Sequence, residues 1–337
     1  MKKLYKDIRF TKGILTLTAG LLMAGCSAED ELGNNSSAQQ LNMIPMVNDL
    51  QKSRANDEDA LHEKTLSKLD FKMFEPEFGK CCVNHQNSSP AENQAEVLGK
   101  DNWKVNLNLQ EDHSYNYYAV ANAQADLSKK TLEELQAATQ QDKDIWLPYP
   151  QAKDKKFLMS AKGQYIISKD PIQDIPVELV RAAAKIKLNL SSSVNGYNIT
   201  NVKWKFLNYN TNTYVFAGQT ATPNIVSNNE DNTVDKIEAN KCSVTTYSYS
   251  TIWTSQENAP KIAVKVAFKS TDGKNDTREK ELTIPVRDPK GEKKLERNYI
   301  YTVNADIKRL KDSINIDYNE ELGYLKWAIT KWTTGED

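Results

Sequence analysis

The chain has 337 residues, 39% hydrophobic and 26% charged, the balance of a folded polypeptide with room for about two domains of ~100–200 residues each. Its formal net charge is −1. Residues 1–25 carry Lys2, Lys3, Lys6, Arg9 and Lys12 against Asp7, so they hold +4 and the remainder −5; a mildly acidic remainder gives no electrostatic case for nucleic-acid binding.

In chain order, the basic start and the apolar run GILTLTAGLLMAG (13–25) read as an export signal over residues 1–25, because the run is too short to span a bilayer comfortably. It ends in LMAGC, which resembles the bacterial lipoprotein signal, where the Cys is acylated and becomes the new N-terminus. Cys26 holds that position, with Met23 where Leu is commoner. A plain secretory signal with an incidental Cys is the alternative. Acyl chains add ~0.8 kcal/mol per buried CH₂, so several together anchor firmly. Residues 26–39 form a polar tether.

Next, QLNMIPMV (40–47) begins like a β-strand. Leu41, Met43 and Val47 share one face, and Pro45 on the same parity argues for a sheet edge. The acidic loop 48–60 that follows is the kind of exposed connection that proteases nick. Arg54 is the only arginine between Cys26 and Arg181, so Arg54-Ala55 is the one arginyl bond there. A strand so placed is one that can be cut off.

Alternating segments at 104–110, 184–191, 261–270, 280–286 and 299–307 predict half-buried antiparallel strands. Polar punctuators at 84–94, 191–198, 227–232, 270–276 and 287–294 predict loops or hairpins between them. SKKTLEELQAATQ (128–140) predicts the one helix, with a capping box at Thr131 and Glu134. DIPVELVRAAAKIKLNL (174–190) is too long for one strand, so it predicts one strand running directly into another near Arg181–Ala183. The expected fold is mostly β: two antiparallel β-sandwich domains in tandem, 40–181 and 182–337, with one short helix in the first.

No catalytic motif is present, and no cofactor or metal is implied: the chain lacks a nucleophile elbow, a Walker loop, a dinucleotide fingerprint and a zincin helix. The protein is not expected to be an enzyme. His62, His85 and His113 lie in polar contexts and read as solvated. Adjacent Cys81 and Cys82 have the wrong spacing for zinc; a bond from one of them to Cys242 and three unpaired thiols are equally open. Six Trp (103, 146, 204, 253, 327, 332) could stack on sugars, but in a sandwich they are more often core.

Several segments in order resemble the Bacteroidetes-type fimbrillins, pilus subunits of the FimA-like superfamily. YNYYAVANAQADLSKKTLEEL (115–135) resembles the family's strand ending in Ala-Asn and the helix after it. FLMSAKG (157–163) resembles its Phe-x-Met-Ser element, VELVRAAAKIKLNL (177–190) its Leu-x-Arg-x-x-Ala-Lys strand, and LERNYIYTVNADI (295–307) its Arg-Asn-x-x-Tyr strand. LKWAITKW (325–332) closes the chain. The resemblance implies two transthyretin-like sandwiches, lipoprotein export to the outer membrane, and trimming after an Arg by an Arg-specific protease. It further implies polymerisation into an extracellular fimbrium, with the C-terminal segment of another copy or a related subunit replacing the first strand.

Elementary energetics fits that implication. Leu41, Met43 and Val47 at ~1.5–3 kcal/mol each make roughly 5–9 kcal/mol of burial, against a domain stability of ~5–15 kcal/mol. A vacated slot needs a rapid replacement, and Leu325, Trp327 and Ile329 alternate onto one face as a donor strand would. An intact C-terminal strand favours a stalk subunit. The alternative is a monomeric outer-membrane lipoprotein that binds surface glycans.

Overall fold

A computed structural model describes residues 39–47, 63, 65–88, 104–107, 109–148, 156–170, 172–219, 221–287, 292–310 and 322–331. Its first half contains β1 (Gln39–Val47), β2 (Lys68–Phe74), β3 (Cys81–Ser88), β4 (Lys104–Leu107), β5 (Ser114–Ala121), helix α1 (Leu132–Gln136), β6 (Thr139–Gln141), β7 (Met159–Ile166) and β8 (Ile172–Arg181). Its second half contains β9 (Ala183–Ser192), β10 (Tyr197–Leu207), β11 (Tyr209–Asn210), β12 (Asn212–Tyr214), β13 (Ile225–Val226), β14 (Asn232–Thr233), β15 (Lys241–Tyr249), β16 (Thr251–Ile252), β17 (Lys261–Ser270), β18 (Thr277–Pro285), β19 (Lys294–Leu295), β20 (Tyr299–Ile307) and β21 (Leu322–Lys331).

The first half builds one sheet in the order β3-β2-β5-β7-β8-β1-β4. The pairing of β7 with β8 is confined to Met159–Arg181 and Ser160–Val180. Beyond that corner the sheet divides into a four-stranded wing, β3-β2-β5-β7, and a three-stranded wing, β8-β1-β4. Buried side chains of both wings, among them Phe71 and Met73 of β2 and Ile175, Val177 and Leu179 of β8, belong to one hydrophobic core. The second half forms two four-stranded sheets, β14-β10-β17-β18 and β15-β9-β20-β21. Alternate residues of β10 and β17 are buried, as expected where one face of a sheet packs and the other meets water.

The predicted strands at 261–270 and 299–307 coincide with β17 and β20, and the long apolar run divides into β8 and β9 at Ala182. Three expectations change. The ladders are antiparallel except for β1 with β8 and β9 with β20, which are parallel; parallel neighbours need a crossover rather than a hairpin, which alternation cannot reveal. The helix spans five residues rather than 128–140, although its capping box forms as expected, Thr131 Oγ1 accepting from Glu134 N and Glu134 Oε2 from Thr131 N. The chain then turns into β6, which pairs with β12 of the second half. Finally, the polar run at 84–94 begins inside β3, an outer strand whose Asn84 and Gln86 bond to Ser128 O and Asp70.

The two halves meet around a buried carboxylate. Glu63 is fully buried. Its carboxylate pairs with Lys185 Nζ at 2.9 Å and accepts a hydrogen bond from Tyr247 OH, and its carbonyl accepts from Arg181 Nε at 2.8 Å. Lys185 and Arg181 are themselves buried. Breaking a buried pair by removing one partner costs about 3–5 kcal/mol, because the other charge is left uncompensated. Glu63→Ala is therefore expected to lower unfolding free energy by about that much in chemical denaturation. The double variant Glu63→Ala/Lys185→Met is expected to recover most of the loss.

Candidate assembly site

The predicted removable strand is β1. Leu41 and Met43 are fully buried, as the alternation requires. In the parallel register with β8, Leu41, Met43, Pro45 and Val47 stand opposite Gln173, Ile175, Val177 and Leu179, all buried. The expected edge position is corrected. Residues Gln39–Asn42 also pair with β4 through Leu107, Asn106, Val105 and Lys104. The first half of β1 is thus bonded on both flanks, and its remaining residues pair with β8 alone among the described residues. Alternation reports which face of a strand is buried and says nothing of its neighbours. Here the neighbour is a four-residue strand from far along the chain.

The predicted donor strand is β21, the last strand of its sheet. Its register sets Leu325, Trp327 and Ile329 opposite Ala305, Val303 and Tyr301, three buried positions of β20. Among the described residues β21 pairs only with β20. Cys26, Arg54 and Ala55 lie outside the described residues.

Asn122, Phe157, Ser160 and Arg297, from the segments that carried the family resemblance, lie close to the junction between the halves. Asn122 closes β5 with a left-handed backbone, φ 59°; Asn reaches this region more readily than most residues. Its side chain donates to Thr65 O and Phe157 O and accepts from Ser67 N. Phe157 packs against Tyr247 with ring centroids 4.8 Å apart, and Ser160 Oγ donates to Val215 O at 2.7 Å. Arg297 Nη2 donates to the same carbonyl at 3.2 Å. Burial pulls the Arg297 guanidinium down to about 10, partly offset by Tyr249. Tyr301 OH accepts from Glu296 N. These side chains hold backbone to backbone; none is arranged for acid–base chemistry. Glu63 escaped the sequence reading because HEKT carries no pattern that distinguishes a buried Glu from a surface one.

Other candidates resolve into structure. Cys82 and Cys242 carry free thiols rather than a shared disulfide. Burial raises both to about 11, with Glu75 adding to the effect at Cys82. Among the described residues no cluster of three or more His, Cys, Asp and Glu is placed to hold a metal ion. Trp204 and Trp253 are buried, and Trp146 packs edge-on against Trp204 at 6.1 Å. Of the histidines, His113 is exposed and His62 lies outside the described residues. His85 departs from the solvated expectation: it sits half-buried in β3 opposite the core residue Phe71.

No family model and no curated protein sequence matches the chain. Solved structures do. The fimbrilin FimA of Porphyromonas gingivalis gives a TM-score of 0.59 at 13% identity, covering 89% of this chain and 99% of that one. The P. gingivalis tip fimbrial protein Mfa3, with a C-terminal truncation, gives 0.53 at 16% identity over 88% and 100%. A candidate cell adhesion protein from Parabacteroides distasonis gives 0.58 at 16% identity over 89% and 98%. The chain has a fimbrillin-like fold, mostly β, as the ordered motifs led one to expect.

Two outcomes test the local physics. Met43→Ala is expected to cost about 2–5 kcal/mol in the uncleaved protein, measured by denaturant unfolding, as for other fully buried Met side chains. Burial depresses the His85 imidazole below its ordinary 6.5. The unfolded chain therefore takes up that proton first. The contribution of His85 is complete above pH 6.5 and is lost as pH falls from there through the depressed value. His85→Gln is expected to flatten the stability profile below pH 6.5.

Proposed function

We propose that this protein is a structural subunit of a cell-surface fimbria, of the stalk type, serving adhesion at the outer membrane and in the extracellular fibre. In this reading it is exported as a lipoprotein acylated at Cys26 and built as two tandem sandwich domains meeting near Ala182. An Arg-specific protease cuts it between Arg54 and Ala55. It then polymerises by exchanging β1 for the β21 of another copy or a related subunit.

The observation that carries the reading is the match between slot and plug. β1 seats Leu41 and Met43, both fully buried, against β8. β21 ends its sheet with Leu325, Trp327 and Ile329 at register positions opposite buried partners. An edge strand is the easiest to withdraw and offer elsewhere. The flanking β4 adds a requirement: the incoming strand must re-pair with β8 and, at one end, with β4. Four residues of ladder are a small barrier, and a replacement strand restores them. Head-to-tail exchange generates a filament wherever its rotation does not close a ring. The fold shared with FimA and Mfa3 supports the same class of assembly.

The test is digestion of the full chain with an Arg-specific protease. One dominant product beginning at Ala55 is expected, followed by slow growth of SDS-resistant oligomers. A variant truncated before residue 322 is expected to be cut equally well and to join as an acceptor without extending the fibre. Clean cleavage that leaves a stable monomer would overturn the reading.

A further inference from the structure

Resting on the fimbrial reading, we propose that a second copy of this chain docks on the free end of the first sheet through Phe78, Ile166, Ile172 and a set of carboxylates. The partner surface is the stretch Lys308-Arg309 that follows β20.

The placement follows from register. Phe74 at the end of β2 pairs with Cys81 and Asn116. Ser114 at the start of β5 pairs with Ile166, and Gln40 of β1 pairs with Ile172. Asp112 N donates to Ile167 O, and Ile167 N to His113 O. The β2–β3 hairpin, the approach to β5, the β7–β8 turn and the first residues of β1 therefore share one end of the sheet. The opposite end, where Ala121 pairs with Met159 and Met159 with Arg181, runs through Ala182 into the second half. That leaves the first end free of the second half.

Three of the five large apolar side chains exposed among the described residues gather at this free end: Phe78 at 82%, Ile166 at 63% and Ile172 at 59%. Around them the exposed carboxylates Glu77, Glu111, Asp112 and Asp170 outnumber the ammonium groups Lys80 and Lys169 by four to two. Of these, only Asp112 and Lys169 approach each other, at 3.9 Å. An exposed apolar group rimmed by charged residues with a net negative balance is the composition of a docking patch.

Topology selects the occupant. β9 runs away from the junction toward Ser192, and β20 lies parallel to it with Ile307 opposite Ser192. Lys308 and Arg309, both exposed, leave β20 at that far end. β21 begins there too, with Leu322 opposite Ile307. If β21 is donated, it departs from this end on residues 308–321, which extend at most ~50 Å. It enters a slot whose far end abuts the second half of the acceptor, so the free end is the open approach. The root of the donor's strand is thereby brought to the acceptor's free end, cationic Lys308-Arg309 facing the acidic, apolar-centred patch. Such complementarity governs encounter rate and register more than final affinity.

The test uses full-length protein cleaved by an Arg-specific protease, with zero-length carboxylate–amine cross-linking and mass spectrometry. Polymers are expected to show links from Lys308 to Glu77, Glu111 or Asp170 that uncleaved monomer lacks. Lys308→Glu/Arg309→Glu is expected to slow polymer growth by roughly tenfold at low ionic strength, and Glu77→Lys/Glu111→Lys in the same chain to restore it. Phe78→Ser/Ile172→Ser is expected to slow growth while leaving the melting temperature of the monomer unchanged. Polymers that form at unaltered rate in all these variants and lack the cross-links would overturn the docking alone. Absence of any polymer from cleaved wild-type protein would overturn the fimbrial reading and the docking with it.

Discussion

The buried carboxylate of Glu63 is the constraint on which the arrangement of the two halves depends. A charge in the interior is tolerated only when paired and hydrogen-bonded. Here the carboxylate's partners come from elsewhere in the chain, Lys185 from β9 and Tyr247 from β15, while Arg181 at the end of β8 donates to the main-chain carbonyl of the same residue. Lys185 and Tyr247 are cross-strand neighbours on one sheet of the second half, so the carboxylate ties residue 63 to that sheet. The first half must therefore present residue 63 at the place where β8 gives way to β9, and the second half must turn β9 and β15 toward it. The cluster of Asn122, Ser160, Val215 and Arg297 extends this logic to main-chain carbonyls, satisfying groups that would otherwise be buried without partners.

Fixing the junction also divides labour between the two ends of β8. One end is locked among buried ionic and polar contacts. The other lies beside the β7–β8 turn, where exposed apolar and acidic side chains collect. β1 runs between these environments and contributes apolar burial through Leu41 and Met43. Its hold on the sheet is a ladder and a hydrophobic face, without the ionic fastening that pins Glu63 shortly afterwards in the chain. Loss of β1 would therefore leave the junction's own contacts in place, which a subunit that stays folded after trimming would need.

Most of the β architecture was legible in the sequence because half-buried strands write their burial at period two. β17, β20 and the split of β8 from β9 follow from alternation and from strand length. The partners of those strands were not legible, since a period-two pattern is the same whether a neighbour is parallel, antiparallel or missing. The edge expectation for β1 rests on Pro45, which does lie in the part paired with β8 alone among the described residues, whereas alternation gives no sign of β4 on the flank of Gln39–Asn42. The helix was overestimated because its cap and spacing were real but β6 claimed the residues that followed. Glu63 could not be found at all: its burial is decided by Lys185 and Tyr247, 122 and 184 residues away. The segments that resemble fimbrillin motifs, by contrast, were visible, and within them Asn122, Ser160 and Arg297 bind main-chain groups of other segments.

The passage from β8 to β9 carries one last consequence. Only Ala182 separates two ten-residue strands, and its N–H is held by Leu158 O at 2.8 Å. A splice of this kind has no slack. Tension applied along the chain passes from one strand into the next without a loop to straighten, and Arg181 and Lys185 clamp the splice on either side. Shear across hydrogen-bonded ladders resists pulling better than peeling does, so strain is shared among many bonds at once. A molecule so built is suited to service as a link in a chain under tension.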